Sequence, residues 1–161
     1  MKKPLIVIMP FFSMFLYAEN VEFFGTEVPV KYYDTLVQYC TEFRVPIVYV
    51  ARLIQWESGW DPYASNKNSN GTIDKGLMMH NSSSLDDFAL RYNHNIKYDP
   101  FNWKDNLRIG INHLSVLRKK TGSWFGAICA YNMGLTAYNK WLETKRPLPD
   151  ATLKIVQFVF G

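Results

Sequence analysis

Apolar side chains recur every three or four residues along most of the chain, the repeat that lines up one face of an α-helix. That repeat predicts a first helix over about Pro29 to Arg44 and a second over about Pro46 to Ser58, each with a proline suited to its first turn, the second closed by Gly59. Ser84 is placed to cap a third, reaching about Tyr92. A long helix from about Lys104 to Thr121 stops at Gly122, and another from Ser123 to Met133 stops at Gly134. Shorter ones cover about Ala137 to Thr144 and Ala151 to Phe160. Between Trp60 and Lys75 the repeat fails: Asn, Ser, Gly and Asp dominate, and the stretch reads as a loop with a short β excursion around Gly71 to Ile73. A second irregular stretch runs through Pro100 to Trp103. No hairpin signal such as Asn-Gly between alternating runs stands out. The pattern predicts one mainly α domain, with its two long loops as walls of a site rather than domain junctions.

Composition supports that picture. The 161 residues are 48% hydrophobic and 16% aromatic, enough for one packed core and too apolar for a disordered chain. Lys2 and Lys3 precede an apolar run from Pro4 to Tyr17, then Ala18 and the polar Glu19-Asn20. This is the layout of a secretory signal peptide over residues 1–18, leaving 19–161 as the exported domain. The run is short for a bilayer helix and contains Pro10, so no membrane span is expected after cleavage. Removing the two lysines takes the formal charge from +4 to +2. The remaining Lys and Arg are scattered apart from Arg118-Lys119-Lys120, which suit a helix C-terminus, so nucleic-acid binding is not expected. In an exported protein Cys40 and Cys129 could form a disulfide, or each could fill a small apolar position of an amphipathic helix.

In the second predicted helix Val50, Leu53, Ile54 and Glu57 fall on one stripe, so the carboxylate continues an apolar face. Burial and the negative end of the helix dipole both favour its protonated form, the state a general acid needs. Periodicity alone favours the plainer reading, a glutamate whose tip reaches solvent at the helix end. Tyr131 shares a stripe with Trp124, Ala127 and Ile128, where a core tyrosine would also sit. Asn66, Asn68, Asn70 and Gly71 imitate the start of an EF-hand, but Leu77 stands where the bidentate Glu belongs, and a calcium site is rejected. His80, His94 and His113 lack metal-ligand spacing, so no metal is expected.

Glu57-Ser58-Gly59-Trp60-Asp61-Pro62-Tyr63-Ala64 resembles the catalytic signature of the lysozyme-like soluble lytic transglycosylases. Asn70-Gly71-Thr72-Ile73-Asp74-Lys75-Gly76-Leu77-Met78 resembles the block that follows it in the small members associated with secretion, pilus and flagellar machines. Asp99-Pro100 with Asn106 resembles the connecting region, and Ala130-Tyr131-Asn132-Met133-Gly134 the third motif. The resemblance spans about residues 35–140 and implies a mainly α, lysozyme-like transglycosylase (SLT) domain with a sugar groove and no cofactor. It implies a periplasmic or exported lyase that cuts peptidoglycan glycan strands between N-acetylmuramic acid and N-acetylglucosamine, leaving a 1,6-anhydromuramyl end. Glu57 would be its catalytic acid. Ser58 would hold Glu57 or the substrate acetamido group, Tyr131 would aim its hydroxyl at the reaction centre, and Gly76, Leu77, Met78, Met79 and Asn132 would line the groove.

Met79 departs from the pattern, since the family carries glutamine after Gly-Leu-Met; a thioether is at best a weak acceptor, which alters binding near the cut. Asp74, 17 positions after Glu57, matches the second carboxylate of animal-type lysozymes. Hydrolysis by a lysozyme-type muramidase, or wall binding without turnover in an assembly, therefore stand as alternatives.

Overall fold

The computed structural model describes residues 19–83, 98–144 and 146–161. The signal peptide expected over 1–18 and the helix expected from Ser84 lie outside them. Six helices are described: α1 Val30–Phe43, α2 Ile47–Ser58, α3 Trp103–Thr121, α4 Trp124–Met133, α5 Leu135–Thr144 and α6 Asp150–Phe160. Their ends follow the residues that predicted them. Pro29 and Pro46 stand extended just before α1 and α2, and Arg44, Gly59 and Gly122 turn the chain left-handed at three C-termini. The Asn102 side chain accepts from the Lys104 N–H, and Ser123 Oγ from the Gly126 N–H at 2.9 Å, each satisfying a first-turn donor that the helix itself cannot.

The helices pack around one core. Leu36 of α1, Leu53 and Ile54 of α2, Leu107, Ile111 and Leu114 of α3, Ile128 of α4 and Ile155 of α6 are fully buried within it. α3 lies against α1 and α4, and α2 against α6, so the last turn of α2 ends beside the loops rather than in the core. Cys40 and Cys129 are free, buried thiols, filling small apolar positions of α1 and α4.

The expectation of no hairpin is corrected. β1 (Asn20–Phe23) pairs antiparallel with β2 (Thr26–Pro29) through Phe24-Gly25, both at positive φ (48° and 71°), the φ pattern of a type I′ turn. Phe24 sits where Asn usually signals that turn, so the sequence concealed it. The loop expected from Trp60 to Lys75 is also partly sheet. β3 (Ser65–Lys67), β4 (Ile73–Lys75) and β5 (His80–Asn81) form an antiparallel sheet in that order. Its residues are polar and no β3 or β4 residue is fully buried, so no alternation of apolar and polar positions announced it. Only the excursion expected near Ile73 pointed there.

Between β4 and β5 the chain makes a tight turn, with the Met79 N–H donating to the Gly76 carbonyl at 3.0 Å. Gly76 has φ 77°, and a Cβ there would collide with the Asn106 side-chain amide and the Pro100 carbonyl. The glycine thus lets this turn press onto α3.

Candidate active site

A cavity of ≈ 730 Å³ opens where the end of α2, the β4–β5 sheet, and α3 and α4 meet. Glu57, Asp74, Met79, His80, Tyr131 and Asn132 are among the residues that line it. Glu57 comes from the last turn of α2, on the stripe begun by the buried Val50, Leu53 and Ile54. Burial, and then the negative charge of Asp74, push its carboxyl from 4.5 up to about 7. Sequence reasoning anticipated the burial but credited the helix dipole with the second contribution. The structure supplies a neighbouring carboxylate instead.

Asp74 is held by its own sheet. Oδ1 accepts from Asn81 Nδ2 at 2.7 Å and Oδ2 from Asn68 Nδ2 at 2.9 Å. Both amides also donate to Thr72 Oγ1, at 3.1 and 2.9 Å, while the Thr72 hydroxyl donates to Asn70 Oδ1 at 2.7 Å. The asparagines that imitated an EF-hand are therefore committed within the loop, Asn66 to Asn68, Asn70 to Thr72 and Asn68 to Asp74, whose carboxylate is fixed on the cavity wall. The link of Asn68 and Asn81 to Asp74 was not legible in the sequence: the β4–β5 register sets Asn81 opposite Asp74, and the loop that leaves β3 brings Asn68 to it.

The other expected residues divide. Ser58 Oγ donates to the Leu77 carbonyl at 2.8 Å, with the Ile54 carbonyl at 3.3 Å, so it staples the Gly76–Met79 turn to α2 and does not bond Glu57. Leu77 and Met78 are fully buried; their side chains join the core, not the cavity wall. Gly76 is buried against Asn106. Met79, at φ 46°, does line the cavity. Tyr131 donates its hydroxyl to the Met78 carbonyl at 2.6 Å, and burial, with the Glu57 charge next in effect, drives its pKa well above 10. The phenol is therefore neutral, with its one hydroxyl hydrogen committed to that carbonyl. Asn132 Oδ1 accepts from Thr152 Oγ1 at 2.8 Å, tying α4 to α6.

The residue that sequence reasoning undervalued is Asn106, noted only as part of a connecting motif. It is completely buried in α3. Its Oδ1 accepts from the Met78 N–H at 2.8 Å, and its Nδ2 donates to the Pro100 carbonyl at 3.0 Å and the Lys75 carbonyl at 3.1 Å. One side chain thus satisfies backbone groups on both loops that frame the cavity. Asn106→Ala strands them in a dry interior, where each unmet group costs about 1–3 kcal/mol. We expect a loss of about 3 kcal/mol or more in urea unfolding; a loss below about 1 kcal/mol would show that water replaces the side chain at little cost.

Fold and cavity together define a lysozyme-like domain with a partly buried glutamate on its cavity wall. The chain belongs to the family described as the transglycosylase SLT domain, whose model matches residues 36–153. Among solved structures it is similar to the lytic transglycosylase Slt of Pseudomonas aeruginosa, solved as an inactive mutant (20% identity, TM-score 0.69, covering 81% of this chain and 23% of that one). It is also similar to the 70-kDa soluble lytic transglycosylase of Escherichia coli (21%, TM-score 0.64, 80% and 22%). A third similar structure is a complex of the 70-kDa soluble lytic transglycosylase with bulgecin A (22%, TM-score 0.69, 81% and 23%). The chain thus spans less than a quarter of each of these proteins, and at these identities the likeness is one of fold. No curated protein matches it by sequence. Among the described residues no helix is long and apolar enough to cross a membrane.

Proposed function

We propose that the chain is a peptidoglycan lytic transglycosylase with Glu57 as its catalytic acid and base. The observation that carries this reading is a carboxyl on a cavity wall, kept protonated up to about pH 7 by burial and by Asp74. Protonated Glu57 gives its proton to the oxygen bridging N-acetylmuramic acid and N-acetylglucosamine, and the bond from that oxygen to the muramyl anomeric carbon breaks. The resulting carboxylate then takes the proton of the muramyl C6 hydroxyl as that oxygen bonds the anomeric carbon. The acid is regenerated and a 1,6-anhydro end is left, with no water consumed. Positive charge gathers at the anomeric carbon on the way, and the fixed negative charge of Asp74 on the same wall favours it.

A second reading is favoured by that same placement of Asp74: retaining hydrolysis, with Asp74 as nucleophile. The bonds from Asn68 and Asn81 to its two oxygens speak for the electrostatic role, because attack would have to proceed against two amide donors. Digesting purified peptidoglycan and weighing the products separates the two. We expect 1,6-anhydromuramyl ends, lighter by one water than reducing ends. Reducing ends alone would assign the muramidase reaction. A wall enzyme has to leave the cytoplasm, and the leader-like residues 1–18 are consistent with that.

A further inference from the structure

Next to Met79 stands a histidine that neither the family resemblance nor the reaction above uses. His80 begins β5 and is only 4% exposed, yet it borders the same cavity as Glu57, Asp74 and Tyr131. Its Nε2 lies 3.1 Å from the Asn106 backbone carbonyl oxygen. A carbonyl can only accept, so Nε2 carries the ring hydrogen. Burial pulls the imidazole pKa down to about 4, leaving the ring neutral near neutral pH. In that tautomer Nδ1 is a lone-pair acceptor and nothing else. Among the described residues no hydrogen bond is made to Nδ1, and this nitrogen is not sealed from solvent as the unpartnered Trp60 Nε1 is.

The ring is also fixed in place. On the α3 side, a Cβ added to Gly110 would stand 2.9 Å from both Cε1 and Nε2, so the helix surface lies directly against the imidazole. On another side the Tyr131 ring centroid is 6.5 Å away. An acceptor open to the cavity, on a ring held in one orientation and without a protein donor, is placed to take a donor from whatever fills that cavity.

We propose that His80 Nδ1 is a substrate-binding acceptor, taking an N–H or O–H of the bound N-acetyl sugar and supplying the polar contact that Met79 cannot. The proposal rests on the reading of the cavity as a glycan groove. It gives the Met79-His80 pair a purpose: the residue after Gly76-Leu77-Met78 has lost its amide, and the next residue offers a nitrogen lone pair in its stead.

Two substitutions separate this role from simple packing. His80→Gln keeps an amide N–H within reach of the Asn106 carbonyl but removes the acceptor at Nδ1. His80→Asn places an amide near the Nδ1 position and gives up the link to Asn106. Binding of the N-acetylglucosamine tetramer, measured by calorimetry, is expected to weaken about tenfold in His80→Gln, equivalent to about 1.4 kcal/mol, while its melting temperature is kept. His80→Asn is expected to melt lower and to bind better than His80→Gln. Unchanged affinity in His80→Gln, or affinities that simply follow melting temperature, would overturn the proposal. A second measurement needs no change at His80. In Glu57→Gln protein labelled with ¹⁵N-histidine, the Nδ1 resonance should move on adding the tetramer; if groove residues respond and Nδ1 does not, the proposal fails. Absence of any tetramer binding overturns it as well, and digestion of purified wall by the wild type then shows whether the catalytic reading falls with it.

Discussion

Glu57→Gln is expected to lower kcat/KM on purified peptidoglycan by at least about a thousandfold, within the span that a positioned general acid supplies, and to give a more stable protein at pH 8. The activity loss follows because one carboxyl performs both proton transfers, and an amide performs neither. The stability gain follows from burial. A carboxyl with an ordinary value of 4.5 that rises to about 7 in the folded protein binds its proton more tightly there than in the unfolded chain. Its contribution to stability is full below about pH 4.5, is lost as pH rises toward about 7, and stays lost above. The amount is about 3 kcal/mol, since each tenfold change in proton affinity is about 1.4 kcal/mol. Glutamine is spared this loss, so the variant should unfold at higher urea than the wild type at pH 8 and at nearly the same urea at pH 4. Activity and stability would then move in opposite directions on a single substitution, the mark of a site kept at the expense of the fold. Full lytic activity in Glu57→Gln would remove Glu57 from the mechanism.

The helices were legible because their evidence is local. A stripe of Leu36 and Cys40, or of Val50, Leu53, Ile54 and Glu57, can be read within three turns, and Pro46, Gly59 and Gly122 mark ends through their own backbone preferences. Motif order then pointed to the family, and the match over residues 36–153 upholds that resemblance. What stayed hidden depends on partners far along the chain. Asn106 meets Met78 and Lys75 across 28 and 31 positions, and Tyr131 meets Met78 across 53. The small sheet had no apolar alternation to show because it is held by Asn, Thr and Asp side chains rather than by a buried face. For the same reason the motif misled on Leu77 and Met78. Their position in the signature suggested substrate contact, whereas the structure buries both side chains and uses their carbonyls to receive Ser58 and Tyr131.

The pH dependence of cleavage puts Asp74 to the test. The reacting form of Glu57 is protonated, so kcat/KM of the wild type is expected to be level below about pH 7 and to fall about tenfold per pH unit above it. Asp74→Asn removes the charge that is the second cause of the high Glu57 value, leaving burial as the first. The alkaline limb should therefore move to lower pH. The two roles of Asp74 then predict different curves. As a tuning charge, its loss displaces the limb and leaves substantial cleavage at acid pH, where Glu57 is protonated in either protein. As a nucleophile, its loss removes cleavage at every pH, because no shift in Glu57 restores a missing bond-forming oxygen. The new amide cannot accept from both Asn68 and Asn81, so thermal melting of Asp74→Asn at each pH must accompany the rates to exclude unfolding. A limb that moves with activity retained at acid pH would leave Glu57 as the only carboxyl in the bond-making steps; a flat loss across the profile would give Asp74 the second.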